Sequence, residues 1–254
     1  MTTVGFVTIG QAPRPDIMGE FARGLAGARS VEAGALDGLS DAEVASLAPR
    51  GDDAVLVSRL RSGRNVRLAH RHVVPRVQAC LDRLAAGGAE LLVLLCTGEF
   101  PELAPPASML YPRRVLPHVV AAALEGVRTP GRAPRLGVLV PDAAQIGPAE
   151  ARWRSLAPSV VACASPYGDA AELAAAAETL RGAEVSLVVM DCLGYTRAMQ
   201  EIVARVSGVP AIFAAAAVSM IMRELLAGRA PQHAGESARR APSAATSTGS
   251  VYHG

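Results

Sequence analysis

Residues 88–98 read GAELLVLLCTG, and residues 182–194 read GAEVSLVVMDCLG. In each segment a Gly-Ala-Glu exit from an Ala-rich stretch leads into an apolar strand and then to a cysteine, Cys96 or Cys192. The starts of the two halves also match, because VGFV at 4–7 resembles LGVL at 136–139. The copies differ by two residues between the glutamate and the cysteine. These echoes predict a protein built from two copies of one α/β unit.

Short apolar runs alternate with longer helical stretches along the chain. The strands are predicted at 4–9, 31–36, 91–95, 136–140, 160–164, 187–190 and 210–213, and the helices at 16–26, 73–86, 114–125, 143–156, 169–181, 196–206 and 215–227. The strands are continuously apolar, which is typical of parallel strands buried on both faces. The fold class is therefore α/β, with parallel sheets flanked by helices in repeated βαβ units.

Shorter signals complete the organisation. Segments 55–59 and 65–69 flank a Ser-Gly-Arg turn and predict a hairpin on the first half. Ser40 and Glu43 predict the capping box of an extra short helix. Residues 126–134 are rich in turn formers and predict a linker, whereas the polar residues after Gly228 predict a disordered tail over 229–254.

The composition excludes several kinds of chemistry. The chain has 254 residues, of which 50% are apolar and 19% charged, and every one of its 25 basic residues is arginine. Without lysine there is no Schiff base, Walker phosphate loop or kinase lysine. A net charge of +2 spread along the chain also gives no basic patch for nucleic acid.

The cysteine usage and the N-terminus bear on the compartment. The four cysteines form no CxxC pair, so we expect reduced thiols and a cytoplasmic protein. The N-terminus lacks the features of a signal peptide, and no apolar run reaches the roughly 18 residues that a membrane span needs. We therefore expect a soluble protein without a membrane partner.

Cys96 and Cys192 are the main candidates for chemistry. Each follows a buried strand, and ligands of parallel sheets bind outside the carboxyl ends of the strands. The N–H groups of residues 97–98 and 193–194 are expected at the start of the next helices, where they stabilise a thiolate or a carboxylate. The alternative for both is a small buried apolar role. Cys80 and Cys163 are interpreted as structural.

The loop TIGQAPRPD at 8–16 is expected at the same edge of the sheet. Arg14 fits a carboxylate by two parallel hydrogen bonds, and Thr8 and Gln11 fit as further contacts of that ligand. The alternative is an ordinary turn with Asp16 near a helix N-terminus. Because the loop lacks GxGxxG, it does not predict a dinucleotide site.

Other candidates depend on their neighbours. Tyr195 and Thr196 follow Cys192 closely and are expected to line the same pocket. Arg113 or Arg114 fits a substrate contact at the crossing between the halves.

Three further polar residues are assigned no catalytic role. His70 and His72 lie in AHRHV with no evident third ligand, so we interpret them as solvated or capping residues and predict no metal site. Asp191 precedes Cys192, and strand alternation points it to the opposite face, so it is not assigned as the base.

Four segments carry a family resemblance: TIGQAPRPD at 8–16, GVLVP at 137–141, DCLGY at 191–195 and GVPAIFAAAAVSM at 208–220. Over about residues 2–226 the chain resembles the AroM family, which is similar to the aspartate/glutamate racemase superfamily. The resemblance implies two pseudo-symmetric lobes around an active-site cleft, at 1–112 and 113–213, with a C-terminal helix at 214–228 returning to the first lobe. Superfamily relatives are often dimers, so it also suggests a homodimer.

The resemblance also implies a chemistry. Racemases of this superfamily use one cysteine from each lobe and no cofactor, and Cys96 and Cys192 match those positions. Where glutamate racemases have Asn-Thr and Thr-His after these cysteines, this chain has Thr97-Gly98 and Leu193-Gly194.

The leading hypothesis is a cofactor-independent racemase, epimerase or related isomerase that moves an α-proton of a small, amino-acid-like carboxylate. Its catalytic residues would be Cys96 and Cys192. The binding candidates are Thr8, Gln11, Arg14, Thr97, Gly98, Gly194, Tyr195 and Thr196. Two alternatives stay open: a non-catalytic small-molecule sensor on the same fold, and a single-cysteine decarboxylase or maleate-isomerase-like enzyme.

Overall fold

A computed structural model describes residues 1–128 and 131–228. The predicted tail at 229–254 and two residues of the predicted linker lie outside the described residues. The described elements run in chain order as β1 (Thr3–Thr8), α1 (Pro15–Ala22), β2 (Arg29–Gly34), α2 (Asp41–Ser46), β3 (Val55–Arg59), β4 (Asn65–Ala69), α3 (His70–Ala86), β5 (Leu91–Leu94), β6 (Ser108–Leu110), α4 (Pro112–Gly126), β7 (Leu136–Val140), a 3₁₀ turn (Ala143–Gln145), α5 (Ile146–Trp153), β8 (Ser159–Cys163), α6 (Ala170–Gly182), β9 (Leu187–Met190), α7 (Arg197–Ser207), β10 (Ala211–Phe213) and α8 (Ala214–Ala227).

Two four-stranded parallel sheets have the same topology. The first has the order β2-β1-β5-β6, and the second has the corresponding order β8-β7-β9-β10. The predicted α/β fold with two pseudo-symmetric lobes is therefore confirmed.

The strand register corrects the alignment of the two copies. Strand β1 pairs Val4 with Leu91 of β5, and β7 pairs Leu136 with Leu187 of β9. Cys96 lies five residues after Leu91, and Cys192 lies five residues after Leu187. The cysteines thus hold equivalent positions, two residues beyond the ends of strands of equal length, and it is the Gly-Ala-Glu match that is out of register by two residues.

Close packing repeats at the equivalent glycines of β1 and β7. A Cβ on Gly5 would lie 2.9 Å from Leu92 and 3.1 Å from Leu84, and one on Gly137 would lie 3.2 Å from Val188 and 3.3 Å from Leu180. Leu84 lies on α3, the helix before β5, and Leu180 lies on α6, the helix before β9. In each lobe this helix can approach the sheet so closely only because the strand has a glycine there.

The core covers both faces of the first sheet. Leu91 and Val93 of β5 pack in an apolar cluster that continues into the second lobe, whereas Leu92 and Leu94 pack in a separate cluster on the other face. Helix α8 packs against α1 and α4, and Ser219 Oγ donates to the Glu20 carbonyl at 3.1 Å. The lobe boundaries themselves stay a prediction.

Several local predictions hold and others fail. The hairpin of β3 and β4 and the Ser40–Glu43 capping box are confirmed. Strand β6 was not predicted because three residues give too short an apolar run. Helix α1 ends at Ala22, four residues earlier than predicted, and positive φ at Ala26 and Gly27 then turns the chain toward β2. Within the described residues, no helix is long and apolar enough to cross a membrane.

Candidate functional site

A cavity of about 880 Å³ lies between the lobes and is lined by residues of both, together with the β3–β4 hairpin. Cys96 and Cys192 both line it, at the carboxyl ends of β5 and β9. The other two thiols do not: Cys80 lies on α3 and is buried in the core, and Cys163 lines a separate surface pocket. All four cysteines lie among the described residues and are free.

The two cysteines lie in equivalent turns, one in each lobe. Gly98 N–H donates to Cys96 Sγ at 3.3 Å, and Gly194 N–H donates to Cys192 Sγ at 3.4 Å. The prediction that helices begin at both turns is wrong, because Cys96 is followed by a loop to β6 and α7 begins only at Arg197. Each thiol therefore has one backbone donor of its own in place of a helix N-terminus.

Both thiols are protonated in this cavity at neutral pH. Burial raises the pKa of Cys96 to about 12, the Gly98 N–H and Arg152 act to lower it, and charge on Cys192 raises it further. Burial also raises the pKa of Cys192, against the lowering effects of the Gly194 N–H and the Arg14 guanidinium. Because Cys192 charge acts on Cys96, the two titrations are coupled.

A hydrogen bond joins the two cysteine-bearing turns directly. Thr97 Oγ1 donates to the Asp191 carbonyl at 3.0 Å, so the residue after Cys96 contacts the residue before Cys192. The buried Asp191 carboxylate accepts a hydrogen bond from Trp153 Nε1 at 3.0 Å and forms an ion pair with Arg152. Asp191 lines the same cavity, but its carboxylate is committed to a structural ion pair, so it is not assigned as a base.

Arg14 is buried and fully engaged. Its Nε and Nη2 donate to the two carboxylate oxygens of Asp16 at 2.9 and 2.7 Å, and Nη1 donates to Thr8 at 3.2 Å. Burial would lower the pKa of Arg14, but Asp16 outweighs it and the pKa rises. The two parallel bonds that were predicted for a substrate carboxylate are made to Asp16 instead.

Tyr167 connects the second lobe to this arginine. Its hydroxyl accepts a hydrogen bond from Arg14 Nη2 at 2.8 Å, and its ring lies under the Arg59 guanidinium at 5.1 Å. Burial, followed by charge on Cys192, raises the pKa of the Tyr167 hydroxyl, so it stays protonated. A Cβ on Gly194 would lie 2.8 Å from this hydroxyl, which is why the cavity wall needs glycine there.

Four of the predicted binding residues do not line the cavity and have other contacts. Thr8 Oγ1 accepts from Arg14 and from the Gly10 N–H, and Gln11 contacts the Arg61 N–H. Tyr195 is buried, and its hydroxyl donates to the Ala164 carbonyl at 2.7 Å. Thr196 caps α7.

The remaining predicted binding residues, Thr97, Gly98, Gly194 and Arg14, do line the cavity. Of the two arginines at the crossing, Arg113 lines it, whereas Arg114 stacks over Tyr111 at 4.7 Å outside it. His70 starts α3 and lines the cavity, with Nε2 2.6 Å from the Glu99 carbonyl. Within the described residues, no group of three His, Cys, Asp or Glu side chains could hold a metal.

Several cavity residues were not predicted from the sequence, and the most important of them are Tyr167 and Arg152. Tyr167 follows β8 at the carboxyl edge of the second sheet, so the rule that located the cysteines would also have found it. Arg152 is one of many arginines on helices, and nothing in the sequence distinguishes it. Its place depends on the last turn of α5, where Arg152 and Trp153 contact Asp191 just after β9.

Comparisons with known proteins agree with this architecture. The family model described as AroM protein matches residues 4–226. A glutamate racemase from Francisella tularensis subsp. tularensis SCHU S4, in complex with D-glutamate, has a TM-score of 0.57 at 10% identity, covering 89% of this chain and 81% of that one. A glutamate racemase from Bacillus anthracis has a TM-score of 0.55 at 13% identity, covering 89% and 82%.

A third solved structure belongs to a decarboxylase. A glycine-to-cysteine mutant of arylmalonate decarboxylase, in its sulfate-associated form, has a TM-score of 0.55 at 18% identity, covering 92% of this chain and 97% of that one. These structures share the two-lobed fold with the chain, and at such identities the likeness concerns the fold alone. Among curated proteins, none matches the sequence.

Proposed function

The chain belongs to the AroM family, and from that premise we propose that it is a cofactor-independent racemase or epimerase that uses Cys96 and Cys192. The observation that carries the proposal is the placement of two free thiols, equivalent in strand register, on opposite lobes of one cavity. The substrate is a small acid with a hydrogen on the carbon next to its carboxylate.

The reaction consists of two proton transfers. The Cys192 thiolate takes the α-proton from one face of the carbon and becomes a thiol, which leaves an enolate-like intermediate. The Cys96 thiol then gives its proton to the opposite face and becomes the thiolate. The configuration is inverted, and the enzyme is left ready for the reverse direction. No electrons leave the substrate, so the balance needs no oxidant or cofactor.

Cys192 is the thiol that ionises first. The Arg14 guanidinium favours its thiolate, and the resulting charge raises the pKa of Cys96, which therefore keeps its proton. Once Cys192 has lost its proton, the cleft holds one base and one acid, as a two-base inversion requires. A base of this kind contributes about 10²–10⁴-fold to the rate.

The experiment is α-proton exchange in D₂O, followed by NMR and by chiral analysis of 2-substituted acids that stabilise the protein in a thermal-shift screen. We expect the wild type to exchange and racemise. Cys96→Ser and Cys192→Ser should each lose racemisation by at least about 10²-fold. Each variant should still exchange the α-proton of one enantiomer, and the two should choose opposite enantiomers.

Cys163→Ser is the matched control, because it removes a free thiol outside the cavity and should keep full activity. Full racemisation in either cavity variant would overturn the two-thiol mechanism. Release of CO₂ that depends on one cysteine would instead indicate a decarboxylase. Ligand binding without any exchange would indicate a sensor.

A further inference from the structure

Two cavity arginines contact the same short turn after Cys96. Arg152 Nη1 donates to the Thr97 carbonyl at 3.5 Å, and Arg113 Nη2 donates to the Glu99 carboxylate at 3.4 Å. Arg113 comes from the start of α4 and Arg152 from the end of α5, so two different helices each contribute a cation to one place. Both side chains line the cavity next to Cys96.

Asp191 pairs with Arg152, but the other bonds of these two cations are weaker than those of Arg14. The bonds of Arg152 to Thr97 and of Arg113 to Glu99 are at the long end of the range for charged pairs. Among the described residues, Arg152 Nε is buried and has no hydrogen-bond partner, whereas Nε and both terminal nitrogens of Arg14 are bonded. Arg152 keeps its ion pair with Asp191, so it is mainly the Arg113 charge that is available to an anion at the Cys96 end of the cavity.

The electrostatics of the pair point the same way. Burial lowers the pKa of Arg152 to about 9, and the second contribution is repulsion from Arg113. Two like charges in a partly dry wall repel each other until an anion lies between them. Glu99 supplies that anion only loosely, since its side chain is 71% exposed while that of Arg113 is 24% exposed.

We propose that Arg113 and Arg152 bind a carboxylate of the substrate beside Cys96, and that this carboxylate displaces Glu99 from Arg113. That this carboxylate belongs to a substrate rests on the proposed function, whereas the anion site itself does not depend on thiol chemistry. Asp191 and Trp153 serve this site as positioning residues, because the Asp191 carboxylate holds the Arg152 guanidinium in the wall. The ligand class is small acids, recognised by a carboxylate group rather than by an amine.

The test measures the binding of succinate by calorimetry at low ionic strength, with the neutral succinamide as comparison. Arg113→Gln should weaken succinate binding by about tenfold to a hundredfold, the loss expected for a charged hydrogen bond. Arg114→Gln is the matched control on the next residue of the same helix, outside the cavity, and should bind as the wild type does. Succinamide should not bind.

A second variant moves the affinity in the opposite direction. Glu99→Gln removes the competing carboxylate and should tighten succinate binding by up to about fivefold, the range for exposed ion pairs. Glu125→Gln, at an exposed ion pair away from the cavity, should change nothing. Equal affinities for Arg113→Gln and Arg114→Gln, or weaker binding by Glu99→Gln, would overturn the proposal.

The two proposals fail separately. The Cys96→Ser, Cys192→Ser double variant should keep the Arg113-dependent binding of succinate, since neither thiol is needed for it. Binding without α-proton exchange in the wild type would contradict the proposed function and leave the anion site standing. Exchange that is unaffected by Arg113→Gln would contradict the anion site alone.

Discussion

The surroundings of Cys96 and Cys192 differ although their backbone positions are equivalent. Each sulfur accepts one N–H from a glycine two residues later, at 3.3 and 3.4 Å. The cation that acts on Cys96 is Arg152 of the second lobe, and the cation that acts on Cys192 is Arg14 of the first. Each thiol thus comes from one lobe, and the arginine that lowers its pKa comes from the other. Both sites are therefore complete only when the lobes are packed together.

The residue before each cysteine breaks the symmetry. Position 95 is a leucine in the apolar core, whereas the equivalent position 191 is an aspartate that pairs with Arg152 and Trp153. The second lobe therefore holds a charged network that the first lobe lacks. Duplication therefore fixes where the thiols lie, and single substitutions beside them set their different electrostatics.

Removing the Asp191 charge should have the largest effect on this asymmetry. Asp191→Asn keeps an acceptor for Trp153 but leaves Arg152 without its buried partner, so we expect a loss of about 3 kcal/mol in the free energy of unfolding. Urea unfolding measures it. Glu125→Gln, which breaks an exposed pair with Arg128, should cost less than about 1 kcal/mol. Equal losses of unfolding free energy in Asp191→Asn and Glu125→Gln would contradict a buried ion pair between Asp191 and Arg152.

Thiol alkylation should separate the two cysteines next. At pH 8 a thiol with a pKa of about 12 has only about 10⁻⁴ of its population as thiolate. A thiolate of higher pKa is a stronger nucleophile, which offsets part of this loss. Cys96 should therefore react with iodoacetamide roughly a hundredfold more slowly than a free thiol. Its rate should still rise about tenfold per pH unit up to pH 10, because the raised pKa keeps the thiolate fraction proportional to hydroxide. Cys192 should be labelled first, as mass spectrometry of tryptic peptides would show. Faster labelling of Cys96 would reverse the assignment of base and acid.

The two glycines after the cysteines should differ in how well they tolerate a methyl group. A Cβ on Gly194 would lie 2.8 Å from the Tyr167 hydroxyl and 3.0 Å from Pro166, so Gly194→Ala should displace Tyr167 from Arg14 and cost about 1–3 kcal/mol. On Gly98 the nearest contacts are side-chain ends, Leu56 at 3.1 Å and Phe100 at 3.2 Å, which can move aside. Gly98→Ala should therefore cost less in the same unfolding measurement, and the opposite order would contradict this account of the wall.

Local pattern was enough to predict the scaffold. Continuous apolar strands, the capping box at Ser40 and the repeated cysteine turns all depend on residues close together in sequence, and the structure agrees with them. It was also enough to place both cysteines at one edge of their sheets. The Gly-Ala-Glu match aligned the two copies two residues out of register, because the ends of helices have similar sequences wherever they occur. The true register is fixed by the pairing of β5 with β1 and of β9 with β7.

The partners of polar side chains could not be predicted in the same way. Arg14 was expected to hold a ligand, yet its guanidinium meets Asp16 two residues away and Tyr167 from the other lobe. Tyr195 and Thr196 follow Cys192 in sequence, but one hydroxyl is used in the core and the other caps α7. Which of 25 arginines enters the cavity depends on how two lobes pack, and no local pattern encodes that.

The smallest expected effect concerns the bond between the two cysteine turns. Thr97→Val keeps the shape of the side chain but removes the 3.0 Å hydrogen bond to the Asp191 carbonyl, so it should cost about 1 kcal/mol. Thr179→Val is the control, because its Oγ1 makes a similar 3.1 Å bond to the Ala175 carbonyl within one exposed helix turn. Position 193 is a buried leucine, so the second lobe offers no reciprocal bond. Amide hydrogen exchange should therefore speed up in both cysteine turns of Thr97→Val and in neither turn of Thr179→Val. Unchanged exchange in the Cys192 turn would mean that the bond from Thr97 to the Asp191 carbonyl does not stabilise that turn.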